Sequence, residues 1–163
     1  MDKLFFVPVQ TRLFDDFLRL RSDENNVKWS GHIAPPISGN LYKFVEKCIT
    51  SETRFVFLAY DDRDLCVGYC YCDIDDANKT IESAYGVEYS QTRKGYGTQI
   101  IEFVHHYGKI LGMQEHIAWV SEQNIASNKV FQKLGFTNSG EHEIRSLPLL
   151  GGDHVFYKLI KKL

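Results

Sequence analysis

Apolar positions in this chain change period several times, and each change marks an element. Leu4 to Gln10 alternates as a strand, and Pro8 puts it near a sheet edge or end. Leu13, Phe14, Phe17, Leu18 and Leu20 then recur at helical spacing, which predicts a helix to about Arg21 with Thr11 as its N-cap. Ser22 to Asn40 is polar and holds Trp29, Pro35 and Pro36, so it reads mostly as loop with room for a helical turn. Leu41, Phe44, Val45 and Cys48 form one stripe of a second helix, Leu41 to Thr50. Arg54 to Tyr60 and Leu65 to Asp73 read as strands joined by the acidic turn Asp61-Asp62-Arg63-Asp64. After a second turn, Asp75 to Asn78, the next strand is Thr80 to Tyr89. A wide apolar stripe predicts a helix from Tyr96 to Leu111, stopped by Gly112. His116 to Val120 is a strand and Ala126 to Leu134 a helix ended by Gly135. Phe136 to Arg145 and His154 to Ile160 are the last strands. The order is β-α-α-β-β-β-α-β-α-β-β, with no repeat and no low-complexity tract.

The 163 residues suffice for one domain, 1–163, with a full core. Hydrophobic content of 44% and charged content of 25% are those of a soluble globule. A net charge of −2 gives no footprint for non-specific nucleic-acid binding, and no apolar run is long enough for a membrane span. The N-terminus lacks the apolar core of a signal peptide, so the expected compartment is the cytoplasm. Cys66, Cys70 and Cys72 match no usual zinc spacing and read as small buried hydrophobes, with Cys70 and Cys72 on one strand face and Val67 and Tyr69 on the other. No metal is expected. His105 and His106 read as half-exposed helix residues.

The chemistry gathers at residues 92 to 98, TRKGYGT, between a strand and a strongly amphipathic helix. Gly95 and Gly97 lack a Cβ, so the backbone turns tightly and exposes its N–H groups. The helix start adds unpaired donors and the positive end of a dipole, and Arg93 and Lys94 add full charges. This describes a phosphate cradle. It is not a Walker A loop, because Lys94 precedes the glycines, and it lacks the third glycine of a dinucleotide fingerprint.

With the glycines taken as Q/R-x-x-G-x-G/A and residues 124 to 136, NIASNKVFQKLGF, taken as N-x-x-S/A…G-F, the chain resembles the GNAT N-acetyltransferases. The strand TIESAYGVEYS adds to the likeness, which is strongest from Thr80 to Phe136. The N-x-x-S-x-K run is similar to the subgroup that acetylates ribosomal-protein N-termini, amino sugars and small amines. The resemblance implies an α/β (α+β) fold: a mixed central sheet of about seven strands, splayed between strands four and five and flanked by about four helices. It implies acetyl-CoA as co-substrate, a primary-amine acceptor, and a monomer or homodimer. Val87, Glu88 and Tyr89 would meet the cofactor by backbone, Arg93, Lys94, Gly95, Tyr96, Gly97 and Thr98 would hold its pyrophosphate, and Asn124 and Asn128 its pantetheine. Ser127 either serves there or caps the helix.

Three departures matter. Thr92 replaces the usual Gln or Arg. Phe131 stands where many members carry the tyrosine that protonates the leaving thiolate, so that position reads as packing. Trp119 replaces an acid found in one subgroup. Glu82 is the candidate base, and its alternative is a sheet-facing carboxylate paired with a neighbouring strand; Glu88 is a second acid on that face. The acceptor site is expected from Asp23 to His32, including Trp29, and from the 146–153 loop. The competing reading is a non-catalytic acyl-CoA-binding module on the same fold.

Overall fold

The computed structural model describes residues 2–163. Strands β1 (Phe5–Pro8), β2 (Arg54–Tyr60), β3 (Cys66–Asp75), β4 (Thr80–Val87), β5 (Glu115–Ser121), β6 (Thr137–Leu147) and β7 (Gly152–Lys162) form one sheet in the order β1-β2-β3-β4-β5-β7-β6. Helices are α1 (Phe14–Arg21), α2 (Glu24–Ser30), α3 (Ser38–Thr50), α4 (Tyr96–Ile110) and α5 (Ile125–Lys133). All strand pairs are antiparallel except β4 with β5. β1 lies at the edge, where Pro8 costs no ladder bond.

The sheet is buried on both faces at its centre, which explains the unbroken apolar run of β3. One core lies under α4 and holds Cys70, Cys72, Ile81, Ile100 and Val104. The opposite core lies under α1 and α3 and holds Phe17, Leu20, Val45, Leu58 and Tyr69. A third joins α5 to β5 and β7 through Ile101, Ala118, Phe131, Phe136 and Leu159. All four cysteines are buried free thiols, and burial raises the Cys66 thiol to about 12.

Five expectations need correction. The polar stretch after α1, expected to be mostly loop, contains a true helix, α2. Asp23 caps it, its Oδ1 accepting from the N–H groups of Asn25 (3.1 Å) and Asn26 (3.2 Å), and Gly31 stops it at φ +83°. Thr11 caps nothing by side chain, because Thr11–Leu13 is a 3₁₀ turn ahead of α1. Val67 does not share a face with Tyr69. The register skips from Ala59↔Gly68 to Tyr60↔Cys66, so Val67 is the extra residue of a bulge and joins Cys70 and Cys72 under α4. Glu88 is not in the strand; β4 ends at Val87. His105 is buried rather than half-exposed, packed against His116.

Candidate functional site

The sheet comes apart where β4 and β5 should continue side by side. They pair only from Thr80↔Glu115 to Glu82↔Ile117, while β5 stays paired with β7 as far as Ser121. From Ser83 onward β4 has no neighbour on that side, so its backbone polar groups there are available to a ligand. The last rung is reinforced by a buried hydrogen bond between His116 Nε2 and Ser83 Oγ at 2.7 Å.

Two spaces open from this splay. An outer cleft of about 850 Å³ runs from β4 past the start of α4 to the start of α5. An inner cavity of about 370 Å³ lies beneath α2 and the β6–β7 connection. Asn26, Trp29, Tyr85, Asn124 and Ser127 line both, so they form the neck between them. A third depression, about 460 Å³, adjoins the inner cavity across Arg21, Tyr71 and Ala84.

The cradle bounds the outer cleft. Arg93 (φ +65°) and Gly95 (φ +79°) take left-handed backbone, which costs arginine but not glycine. The first intrahelical bond of α4 runs from the Gln99 N–H to the Gly95 carbonyl, leaving the Tyr96, Gly97 and Thr98 N–H groups without helical acceptors. Gly97 has little room for a side chain: a Cβ there would meet the Tyr85 ring at 3.1 Å. Thr92 turns its hydroxyl onto the Tyr89 carbonyl at 2.8 Å.

The expected site residues divide. Val87, Tyr89, Arg93, Gly95, Tyr96, Gly97, Thr98 and Asn124 line the outer cleft. Tyr96 does so by backbone alone, since its ring is 2% exposed in the core. Lys94 instead turns to Gln91 Oε1 at 2.8 Å. Glu88 pairs with Arg19 at 2.6 Å, and its N–H donates to the Val67 carbonyl. Asn128 lies behind the wall, where its amide donates to the carbonyls of Ser121 and Asn124, both at 2.9 Å. Ser127 is not the helix cap: Asn124 is, with Oδ1 accepting from the Ser127 N–H at 3.2 Å.

Phe131 is 2% exposed, with its ring 4.9 Å from Phe136 and 6.2 Å from Tyr85. Tyr85 is not among the residues the sequence singles out for the site. It reaches from β4 to the foot of α5, where its hydroxyl donates to Ser127 Oγ at 3.2 Å. Burial raises its pKa and the Ser127 bond opposes this. Among the described residues of the neck, it is the one side chain with a titratable proton. Nothing in the sequence brings position 85 to positions 127 and 131; only the fold does.

Glu82 lines the side depression on the opposite face of β4. Burial raises its pKa, helped by Asp73 directly across on β3, and Arg145 and Arg54 oppose it. Arg54 is itself bound through two nitrogens to Asp73, at 2.6 and 2.8 Å. Trp119 carries the Arg145 guanidinium 5.4 Å from its ring centroid. Among the described residues, no group of three or more His, Cys, Asp and Glu side chains is placed to hold a metal ion, and no helix is long and apolar enough to cross a membrane.

The fold is shared with solved structures. Spermidine N-acetyltransferase from Vibrio cholerae, in complex with CoA and spermine, is 15% identical with a TM-score of 0.88, covering 98% of this chain and 95% of that one. A proposed phosphinothricin N-acetyltransferase is 18% identical with a TM-score of 0.81 over 99% of both chains. A proposed acetyltransferase from Salmonella typhimurium, with its cofactor acetyl-CoA, is 14% identical with a TM-score of 0.79, covering 98% and 94%. No curated protein matches the chain in sequence. The family described as "Acetyltransferase (GNAT) domain" matches residues 3–137. With most of its length matched, the splayed sheet and the cradle at the start of α4 in place, the chain belongs to the GNAT acetyltransferases.

Proposed function

We propose that this protein transfers the acetyl group of acetyl-CoA to a primary amine, by direct attack while both substrates are bound. The observation that carries this is the neck: a long cleft bounded by a glycine turn and a helix start meets a smaller cavity at one phenol and a run of unpaired backbone. Two structural neighbours support it: a spermidine N-acetyltransferase in complex with CoA and spermine, and a proposed acetyltransferase with acetyl-CoA.

In this reading the pyrophosphate sits on the N–H groups of Tyr96, Gly97 and Thr98, with Arg93 beside it. The pantetheine runs along Val87 toward Asn124, and the thioester ends at the neck. A backbone N–H of β4 beyond Glu82 donates to the carbonyl oxygen as negative charge builds there. An ammonium has no lone pair, so the amine must lose a proton. Glu82 takes it, through water, since it lies three residues and about 10 Å along the strand from Tyr85. Its raised pKa makes it a stronger base than an ordinary carboxylate. The C–N bond forms, the C–S bond breaks, the thiolate takes the Tyr85 proton, and the second proton of the attacking nitrogen leaves to solvent. Rotation about the phenol C–O bond turns that proton from Ser127 to sulfur. Solvent then restores both groups.

Tyr85 supplies what Phe131 lacks, and this favours an enzyme over a non-catalytic acyl-CoA module. The test is thiol release from acetyl-CoA against peptides, amino sugars, polyamines and amino acids, beside calorimetry of acetyl-CoA binding. Release with any amine supports the transferase. Tight binding with no release from any acceptor favours the module.

A further inference from the structure

We infer that the acceptor is a small zwitterion: an amine carrying a carboxylate or similar anion, of amino-acid size, with the anion held by Arg21. This rests on the acetyl-transfer reading for the fate of the amine, but the anion site stands on its own geometry. The wall of the inner cavity contains no Asp or Glu, and it contains two guanidinium groups, Arg21 and Arg145.

The charges around this space can be paired off. Arg54 is held by Asp73. Arg145 gives its Nε to Glu143 and lies over the Trp119 and Phe156 rings. Arg21 has no carboxylate within ion-pair distance among the described residues. One of its nitrogens donates to the Tyr71 hydroxyl, and the guanidinium sits 5.8 Å from the Phe17 and Tyr71 ring centroids. The phenol and the rings fix the group while most of its N–H donors stay open. A planar guanidinium held in this way is preorganised for an oxyanion. The other unbalanced charge is Glu82, which shares the side depression with Arg21 without an ion pair between them. An unpaired cation and an unpaired carboxylate, apart on adjoining walls, match an acceptor with one charge of each sign. A polyamine needs anions along its length, and this cavity wall offers none.

Size points the same way. About 370 Å³ is at the low end for ligand sites. The roof is closed where Gly31, at the end of α2, meets β6: a Cβ there would lie 3.1 Å from the Ser146 carbonyl oxygen.

The test pairs binding with turnover. L-Methionine, L-phenylalanine and L-glutamate, their α-carboxamides, and spermidine are titrated into CoA-loaded protein by calorimetry, and the same compounds are assayed for thiol release from acetyl-CoA. At least one amino acid should bind about 10- to 100-fold tighter than its amide, with spermidine weaker still. Arg21→Gln should erase that difference while its melting temperature and acetyl-CoA affinity stay near those of the parent, and Arg21→Lys should restore part of it. The inference is overturned if spermidine binds as tightly as the best amino acid, if acids and amides bind alike, or if Arg21→Gln leaves the preference intact. Amino acids that bind without thiol release would keep the anion site and sink the transferase reading. Release with spermidine alone would do the reverse.

Discussion

In the proposed reaction three residues around the splay carry separate roles, and each yields a distinct expectation. Tyr85 touches the neck from both spaces, so Tyr85→Phe should lower kcat about 100-fold with acetyl-CoA affinity unchanged. Adding Phe131→Tyr to that variant should recover part of the loss, since the two rings are 6.2 Å apart and a hydroxyl at 131 would also enter the inner cavity. No recovery and weaker cofactor binding would mean Tyr85 only packs. Glu82→Gln should also lower kcat about 100-fold while calorimetric affinity for acetyl-CoA holds; if affinity collapses instead, the carboxylate is structural. Gly97→Val should act on the other substrate. Its side chain would crowd Tyr85 and Val130 and fill the cradle, so acetyl-CoA affinity should fall at least tenfold. Retained affinity would show that the phosphates lie elsewhere.

At the level of elements, α2 does more than its seven residues suggest. Asp23 caps the helix with one oxygen and accepts the Tyr89 N–H with the other at 3.0 Å, so it ties α2 to the loop leading into α4. α2 supplies Asn26 and Trp29 to the neck. Asp23→Ala should therefore cost about 1 kcal/mol in chemical denaturation and weaken both acetyl-CoA and acceptor binding, whereas Asp23→Asn should keep most of the cap. A loss of stability with both affinities intact would remove the coupling. α2 was not legible in the sequence, because Val27 and Trp29 alone make no apolar stripe and polar neighbours read as loop. Long periodic elements were legible: α4 announced itself by its stripe, and the cradle by its glycines between strand and helix. The bulge at Val67 was not, because one inserted residue leaves the apolar run unbroken while it reverses which side faces which core. The same limit applies to the site. Glycine spacing located the tight turn ahead of α4, but the partners of Glu88, Lys94, Asn128 and Tyr85 are set by residues 3 to 69 positions away. Side-chain direction across such spans is a product of packing.

The whole molecule depends on holding the sheet together on one side of a deliberate gap. β4 and β5 share only three rungs, and the buried chain Ser83–His116–His105 crosses them at the last one, with 2.7 Å from Ser83 Oγ to His116 Nε2 and 3.4 Å between the two Nδ1 atoms. One of those Nδ1 atoms must be bare to accept from the other, so protonating both rings places N–H against N–H. Burial accordingly lowers His105 to about 4 and His116 to about 3, with Lys161 adding to both. In the unfolded chain both titrate near 6.5. Between pH 6.5 and about 4 the unfolded state therefore binds protons that the folded state refuses. Stability rises with pH across this window, and is lost as pH falls through it. Each histidine that ionises only on unfolding contributes about 1.4 kcal/mol per pH unit, or about 2 kcal/mol between pH 7 and pH 5. Glu82 works in the opposite direction, since its folded pKa is raised, but it is one group against two. Denaturant melts from pH 7.5 to 5.0 should show a folding free energy falling with a slope between one and two protons. His105→Leu, which removes one ionisable ring and fills its place in the core beside Phe136, should reduce that slope by about one proton whatever it does to stability at pH 7.5. A flat profile in the parent would mean the pair ionises in the folded state, and the cross-tie at the foot of the splay would then be held by something other than neutral imidazoles.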